Sequence, residues 1–341
     1  MRLTNVSRLR VIHGAAFAAM ALVPLTPAHA QQGAAFFAGK TITYVVATAP
    51  GGGYDVYGRL VAEYMQKYLP GSTVIVRNMP GAGHVLGANA VYASAPDGLT
   101  IGTFNTGLIY SQIVSLPAAK FDLTKMSWIG KAASDPRVFV VSKQSGIADF
   151  AALRTLPKNV NFATSGVGGA SYVETLMLAR ALKLQVDLLT GYNGTEDMLA
   201  MRRGEIAGTI ASRSSFEAFV ANGYGHMIAQ IGGKDKDLPQ LSALVSEPAA
   251  KPLIALVRTQ GEIARLTAGP PGIPADRLAA LREAYRKAME DRSAQAKAEK
   301  LGRPLDPAYG DDVLALVKEA VTQTPEVVAL LKQAMQRPKK K

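Results

Sequence analysis

The chain has 341 residues, a formal net charge of +12 and no cysteine. The lack of cysteine excludes disulfides, thiolate nucleophiles and cysteine-based metal sites. Basic residues are dispersed except at the C-terminus, and no basic stripe alternates with aromatic residues, so we expect no nucleic-acid partner. The net positive charge instead suits a small anionic ligand.

Residues 1–30 have the pattern of a cleavable signal peptide. Arg2, Arg8 and Arg10 precede an apolar run over residues 11–23, and Ala28-His29-Ala30 forms a small-x-small cleavage pattern after it. The apolar run is shorter than the ~20 residues that a membrane-spanning helix needs. We therefore expect an exported protein that resides in the periplasm after removal of residues 1–30.

The rest of the chain, about 310 residues, is longer than a single hydrophobic core usually supports. We therefore expect two lobes. Lobe 1 is predicted to be discontinuous and to comprise residues 31–130 and 256–341. Lobe 2 is predicted to comprise residues 131–255.

Predicted strands and helices alternate along the chain. Apolar, β-branched runs predict strands in the first half at residues 42–49, 72–77 and 99–104. The second half has predicted strands at residues 138–141, 160–163, 185–189 and 206–210, and another near 262–266 before a long helix from Asp276. This alternation predicts an α/β fold in which each lobe is a mainly parallel sheet flanked by helices.

A glycine-rich loop follows the first predicted strand, where residues 45–55 read VVATAPGGGYD. Small residues at a strand end let backbone N–H groups point at an anion, and the next helix adds a partial positive charge at its N-terminus. A tight turn is the alternative interpretation, and Asp55 is expected to cap the helix. Because similar loops follow strands at residues 105–107, 164–169 and 190–195, we predict a ligand cleft between the lobes.

The order of several short motifs carries a resemblance to a known family. In chain order they are Ala49-Pro50-Gly51-Gly52-Gly53-x-Asp55, Arg77-Asn78-Met79-Pro80-Gly81-Ala82-Gly83, Ala95-Pro96-Asp97-Gly98, Asn161-Phe162-Ala163-Thr164-Ser165-Gly166, Tyr192-Asn193-Gly194 and Gly204-Glu205-Ile206. The chain resembles the Bug (TctC-type) substrate-binding proteins, the periplasmic receptors of tripartite tricarboxylate transporters. The likeness is strongest over residues 42–105.

The resemblance implies a type II periplasmic-binding fold, in which two lobes joined by crossover hinge strands close over a small organic carboxylate. It implies delivery of that carboxylate to membrane permease subunits, with no enzyme activity, cofactor or metal, and we expect a monomer. Carried over to this chain, it implies a site in which two loops face each other across the cleft. The implied ligand-binding residues are Gly51, Gly52, Gly53, Asp55, Asn105, Thr106, Thr164, Ser165, Gly166 and Tyr192.

Ser212 and Arg213 complete the predicted site, because they follow the strand predicted at residues 206–210. Arg213 is expected to meet a second acidic or polar group of the ligand through its fork-shaped guanidinium. Arg213→Ala is then predicted to weaken binding by roughly ten- to a hundredfold.

Two other functions remain open at this stage. An exported hydrolase would use Ser165 as its nucleophile, although the chain has no G-x-S-x-G motif and no histidine with an evident reason to lie near Ser165. An extracytoplasmic sensor would bind the same ligand and engage a kinase. The sequence does not separate a sensor from a transport receptor.

Overall fold

The computed structural model describes residues 33–192 and 194–335, and the predicted signal peptide lies outside them. These residues form two lobes, each built around one β-sheet with helices packed against it. No helix among them is long and apolar enough to cross a membrane. The α/β fold with two lobes is confirmed.

The first sheet has six strands in the order β11-β4-β10-β3-β1-β2. Its strands are β1 (Thr41–Val46), β2 (Thr73–Asn78), β3 (Thr100–Phe104), β4 (Ser127–Lys131), β10 (Leu266–Gly269) and β11 (Ala308–Tyr309). The helices in the same parts of the chain are α1 (Gly53–Lys67), α2 (Val85–Tyr92), α3 (Gly107–Ile113), α10 (Ala275–Glu290), α11 (Arg292–Lys300), α12 (Gly310–Val321) and α13 (Pro325–Met335), with a 3₁₀ turn at Ala82–His84.

The second sheet has five strands in the order β7-β6-β8-β5-β9. Its strands are β5 (Arg137–Ser142), β6 (Val160–Thr164), β7 (Val186–Thr190), β8 (Gly208–Ser212) and β9 (Gly225–Ile231). The helices between them are α4 (Phe150–Arg154), α5 (Ala170–Leu182), α6 (Glu196–Arg202), α7 (Arg213–Ala221), α8 (Leu241–Leu244) and α9 (Ala250–Glu262), with a 3₁₀ turn at Lys143–Ser145.

Both sheets are mixed, which corrects the expectation of mainly parallel sheets. β1 pairs in parallel with β2 and β3, but β10 runs antiparallel to β3 and β4. In the second sheet β6 is parallel to β7 and β8, whereas β5 runs antiparallel to β8 and β9. The connectivity of the chain explains the antiparallel strands. β5 and β10 each follow a crossover between the lobes and enter their sheet at the carboxyl ends of its parallel strands, so they run in the opposite direction.

The chain passes between the lobes at residues 132–136 and 263–265, and the last helix, α13, then packs against α5 and α9 of the second lobe. These two crossovers lie side by side, because the Ala132 N–H donates to the Arg265 carbonyl at 3.1 Å and the Asp135 N–H donates to the Gly261 carbonyl at 2.8 Å. The lobe boundaries at residues 131 and 256 stay a prediction. Helix α9, which contains residue 256, packs against α5 and β9 of the second sheet.

The lobes also contact each other beyond the crossovers. The Ser111 hydroxyl on α3 donates to the Gly168 carbonyl at 3.2 Å, and the Tyr110 hydroxyl donates to Glu174 on α5 at 3.2 Å. Apolar side chains of α3 and α5 belong to one continuous buried cluster. The ends of the parallel strands from both sheets therefore face one another across a narrow gap.

Candidate ligand-binding site

A cavity of about 90 Å³ lies between the two sheets, and both lobes contribute to its wall. On the first-sheet side it is lined by Thr48, Gly52, Gly53, Tyr54, His84 and Asn105. On the second-sheet side it is lined by Arg137, Ala163, Thr164, Ser165, Ser171, Tyr192, Gly194, Asp197, Met198, Thr209, Ala211, Ser212, Ser215 and Phe216. Most of these residues lie at strand ends or in the first turns of helices.

The N-terminus of α1 forms the glycine wall of the cavity. Gly52 is the cap residue of this 15-residue helix, and no side chain caps it. A Cβ on Gly52 would lie 3.3 Å from Gly194 Cα, and a Cβ on Gly53 would lie 2.3 Å from Ser215 Oγ. Both glycines therefore let the backbone of α1 approach the second lobe closely, and the first N–H groups of the helix lie at the cavity.

Besides the seven-residue α6, two longer helices begin at the cavity. α5 follows Gly169 without a side-chain cap, and α7 follows Ser212 without one. Ser171 in the first turn of α5 accepts the Ser165 N–H at 2.9 Å and donates to Ser165 Oγ at 3.0 Å. The positive ends of three helix dipoles thus converge here, an arrangement that attracts anions.

Arg137 is the cation of the cavity wall, and it was not predicted. It starts β5, is buried, and donates through Nε to Glu174 at 2.6 Å and through Nη1 to Ser212 at 2.8 Å. Burial raises the pKa of Glu174 above its usual value, because the attraction of Arg137 offsets only part of the cost of desolvating its charge. Most of Arg137's donor capacity is used within the protein.

His84 is buried in the wall against Tyr54, with the two rings edge to face at 5.7 Å between centroids. Burial, together with the nearby charge of Arg265, lowers the pKa of His84 from 6.5 to about 3. Its imidazole is therefore neutral at physiological pH. His84 Nδ1 and Thr48 Oγ1 are two wall atoms without a hydrogen-bond partner among the residues that the structure describes.

A buried ion pair joins the two crossovers behind the cavity. Arg265 donates through Nη2 to Asp135 and, at 3.1 Å, to Ser214 Oγ. Its guanidinium also lies 4.0 Å from the centroid of the Tyr54 ring and 4.8 Å from that of Tyr57. Since Tyr54 lines the cavity, Arg265 of the crossover contacts a residue of the cavity wall.

The structure brings seven of the twelve predicted residues to the cavity: Gly52, Gly53, Asn105, Thr164, Ser165, Tyr192 and Ser212. Two more, Gly51 and Asp55, lie beside it. Asp55 is the third residue of α1 rather than its cap, and its carboxylate accepts the Gly51 N–H at 2.9 Å and the Asn78 amide at 2.8 Å. Burial raises the pKa of Asp55, but hydrogen bonds from Arg59, Gly51 and Asn78 outweigh it and leave the pKa below its usual value.

The other three predicted residues do not line the cavity. Thr106 caps α3 directly behind Asn105, and Gly166 contacts Gly83 of the first lobe. The Arg213 side chain pairs with Glu217 and Asp235, both at 2.7 Å, in a separate groove near the hinge. The structure thus places Arg213 away from the cavity, and no observation assigns it a ligand.

Ser165 does not have the geometry of an activated nucleophile. Its hydroxyl is hydrogen-bonded to Ser171 rather than to a histidine. In residues 33–192 and 194–335 there is also no group of three or more acidic or histidine side chains that could hold a metal ion. The arrangement is that of a binding cavity whose wall consists of backbone N–H groups, hydroxyls and a few charged side chains.

Comparisons with known proteins show the same fold. MatC from Rhodopseudomonas palustris, solved with bound malate, superposes with a TM-score of 0.71 at 22% identity, covering 87% of this chain and 99% of that one. The periplasmic binding protein BugD superposes with a TM-score of 0.71 at 23% identity over 86% and 97% of the two chains. Rpa4515 of R. palustris, solved with adipate, has a TM-score of 0.70 at 19% identity over 86% and 97%.

The chain is also similar in sequence to known proteins. A protein from the tcbD-tcbE intergenic region of Pseudomonas sp. (strain P51) is 28% identical over 62% of this chain and 63% of its own length. BugT of Bordetella pertussis is 30% identical over 40% and 43%. The chain thus spans less than two thirds of the length of these curated relatives. The family model of the tripartite tricarboxylate transporter family receptor matches residues 57–332, and the chain therefore belongs to this TctC family.

Proposed function

We propose that this protein is a periplasmic solute receptor that holds a small organic carboxylate in the cavity between its lobes. The observation that carries the proposal is the convergence of three helix N-termini, those of α1, α5 and α7, on one cavity shared by both lobes. Family membership and the malate and adipate in the structures of MatC and Rpa4515 support it. The receptor then delivers its ligand to the membrane permease of a tripartite tricarboxylate-type transporter.

A carboxylate suits this cavity for electrostatic and geometric reasons. Backbone N–H groups of α1 and the hydroxyl of Ser165, which accepts from Ser171, can donate hydrogen bonds to a carboxylate without introducing a full charge. The small volume favours a small acid over a large one. Because residues of both lobes contact this space, ligand binding and lobe closure are coupled.

The direct test is a thermal-shift screen of residues 31–341 against mono-, di- and aromatic carboxylates, followed by calorimetric titration. We expect a raised Tm and one-to-one binding for at least one small carboxylate. Phosphate, sulfate and uncharged amides of the same acids serve as controls. Absence of binding by every carboxylate, or turnover of chromogenic esters that Ser165→Ala abolishes, would overturn the proposal.

Export and delivery need separate tests. The intact mass of periplasmic material is expected to show an N-terminus at Gln31, and retention of residues 1–30 would contradict the signal-peptide prediction. Uptake of the labelled ligand by cells is expected to require both this receptor and the permease. Normal uptake without the receptor, with loss of a kinase-dependent response, would instead favour the sensor.

A further inference from the structure

Asp197 places an acidic side chain in the wall of a cavity otherwise suited to anions. It is the second residue of α6 and, unlike the exposed Glu196 before it, lines the cavity. Its neighbours in the wall include Tyr192, Gly194 and Met198. The carboxylate of a ligand bound in this small cavity therefore lies near a second acid.

The Asp197 carboxyl has little compensation within the protein. Oδ1 accepts the Met198 N–H at 2.8 Å, and no side chain in residues 33–192 or 194–335 donates to either oxygen. Burial raises the pKa of Asp197 to about 7 although hydrogen bonds from the Met198 and Asp197 N–H groups lower it, and the charge of Glu196 adds to the rise. An ionised carboxylate in this position lacks a counter-charge, and such a group is stabilised by any cation that reaches it.

Arg137, the cation in the same wall, does not supply that counter-charge. Its guanidinium is paired with Glu174 and hydrogen-bonded to Ser212 and to the Ile210 carbonyl. Among the described residues no lysine or arginine forms an ion pair with Asp197, although Arg137 lines the same cavity. The cavity therefore has donors at its helix N-termini and one acceptor without a partner cation at Asp197.

We propose that the ligand of this receptor carries an ammonium group as well as a carboxylate, and that Asp197 is the residue that binds this ammonium. The inference rests on the proposed function, because the helix N-termini bind the carboxylate. A plain dicarboxylate that brought its second carboxylate to the ionised form of Asp197, which prevails above pH 7, would meet like charge, which disfavours it. Amino carboxylates are thereby selected over unsubstituted acids of the same length.

The test uses pairs of acids that differ mainly in an ammonium group: succinate and aspartate, glutarate and glutamate, and butyrate and 4-aminobutyrate. Calorimetric titration of the unmodified protein is expected to show at least a tenfold preference for the ammonium member of the pair that binds best. Asp197→Asn keeps the size of the side chain and removes its charge. We expect it to reduce that preference to twofold or less.

Glu196→Gln is the matched control, since it removes an acid from the adjacent, exposed position and should retain the preference. Binding of the unsubstituted acid by Asp197→Asn shows that the variant is folded, so the ratio within each protein is the decisive quantity. Equal affinities within every pair, or a preference that survives Asp197→Asn, would overturn the inference while leaving the carboxylate receptor intact. If no carboxylate in the broader screen binds, the proposed function fails instead.

Discussion

The two walls of the cavity differ in chemistry. The first-sheet wall carries no full charge, because it consists of the α1 backbone, the neutral side chains of Thr48, Tyr54 and Asn105, and a His84 whose pKa burial holds near 3. The second-sheet wall carries the charged side chains Arg137 and Asp197. A wall of backbone donors accepts any carboxylate, whereas charged side chains distinguish one ligand from another. Helix N-termini lie in both walls but charged side chains only in the second, so we expect both lobes to contribute to carboxylate affinity and the second lobe to determine selectivity.

The largest effect on stability should come from breaking the buried Arg137–Glu174 ion pair behind the second-sheet wall. Arg137→Met leaves the fully buried Glu174 without its partner, so we expect the free energy of unfolding to fall by about 3–5 kcal/mol. Urea unfolding measures this. Arg137→Met combined with Glu174→Leu should recover most of the loss, because no unpaired charge remains. If the double variant is as unstable as the single one, the loss comes from packing rather than from charge.

Gly83 tests the contact between the walls. A Cβ there would lie 2.1 Å from the Gly169 nitrogen of the second lobe, so Gly83→Ala should hold the lobes apart. We expect ligand affinity to fall at least about thirtyfold, near 2 kcal/mol, and ligand-induced compaction in small-angle scattering to disappear.

Gly146→Ala is the control for Gly83→Ala. Both glycines have left-handed backbones, with φ of +69° at Gly146 and +61° at Gly83, but a Cβ on Gly146 would meet nothing within 4 Å. Both variants share a strain of about 1–2 kcal/mol, and only Gly83→Ala should lose ligand affinity. Equal affinities of the two variants would show that the lobes need not approach at Gly83.

His84 tests whether the first wall stays uncharged. Its pKa is about 3 in the folded protein against 6.5 normally, so the unfolded state binds the extra proton as the pH falls from 6.5 toward 3. Stability is therefore lost on acidification through that window, at about 1 kcal/mol per pH unit between pH 6 and 5. In His84→Asn, where asparagine tolerates the left-handed backbone (φ +82°), this part of the slope should vanish. Parallel slopes in urea titrations would show that His84 is not buried as a neutral group.

Arg213 should give the smallest effect. Its pairs with Glu217 and Asp235 are partly exposed, so Arg213→Ala is expected to change stability by about 1 kcal/mol or less. With its guanidinium outside the cavity, ligand affinity should change less than twofold in calorimetry. The ten- to hundredfold loss predicted from sequence, if it were observed, would return Arg213 to the binding site.

The sequence predicted the cation at the correct edge of the second sheet but on the wrong strand. Arg213 directly follows β8, and Arg137 starts β5, the neighbouring antiparallel strand in which Arg137 pairs with Ser212. Pairing between strands 75 residues apart is a tertiary feature that a local pattern does not contain. A possible signal was an arginine immediately before the continuous apolar run 138–141, where a charged side chain is forced into a buried setting.

The sequence pattern predicted strands correctly where apolar, β-branched residues follow one another without interruption. Strand β1 was predicted at residues 42–49 and spans Thr41–Val46, and β6 was predicted within one residue of Val160–Thr164. The strand expected near 262–266 was wrong, since Glu262 ends α9 and β10 is Leu266–Gly269. Helix α9 was not predicted because Pro252 lies in it, although proline is compatible with the first turn of a helix. Strands β4 and β9 were missed because their apolar residues are few or are interrupted by Gly225, His226 and Gln230.

The hydrogen bonds and the ion pair between the two crossovers limit how the lobes can move relative to each other. Two independent linkers would let the lobes bend, twist and slide relative to each other. Here the linkers are joined by backbone hydrogen bonds and by the Arg265–Asp135 pair, so we expect them to bend together as one unit. Such a joint should favour hinge bending over twisting and sliding of the lobes. Each closure is then expected to bring the same two lobe edges into the same alignment.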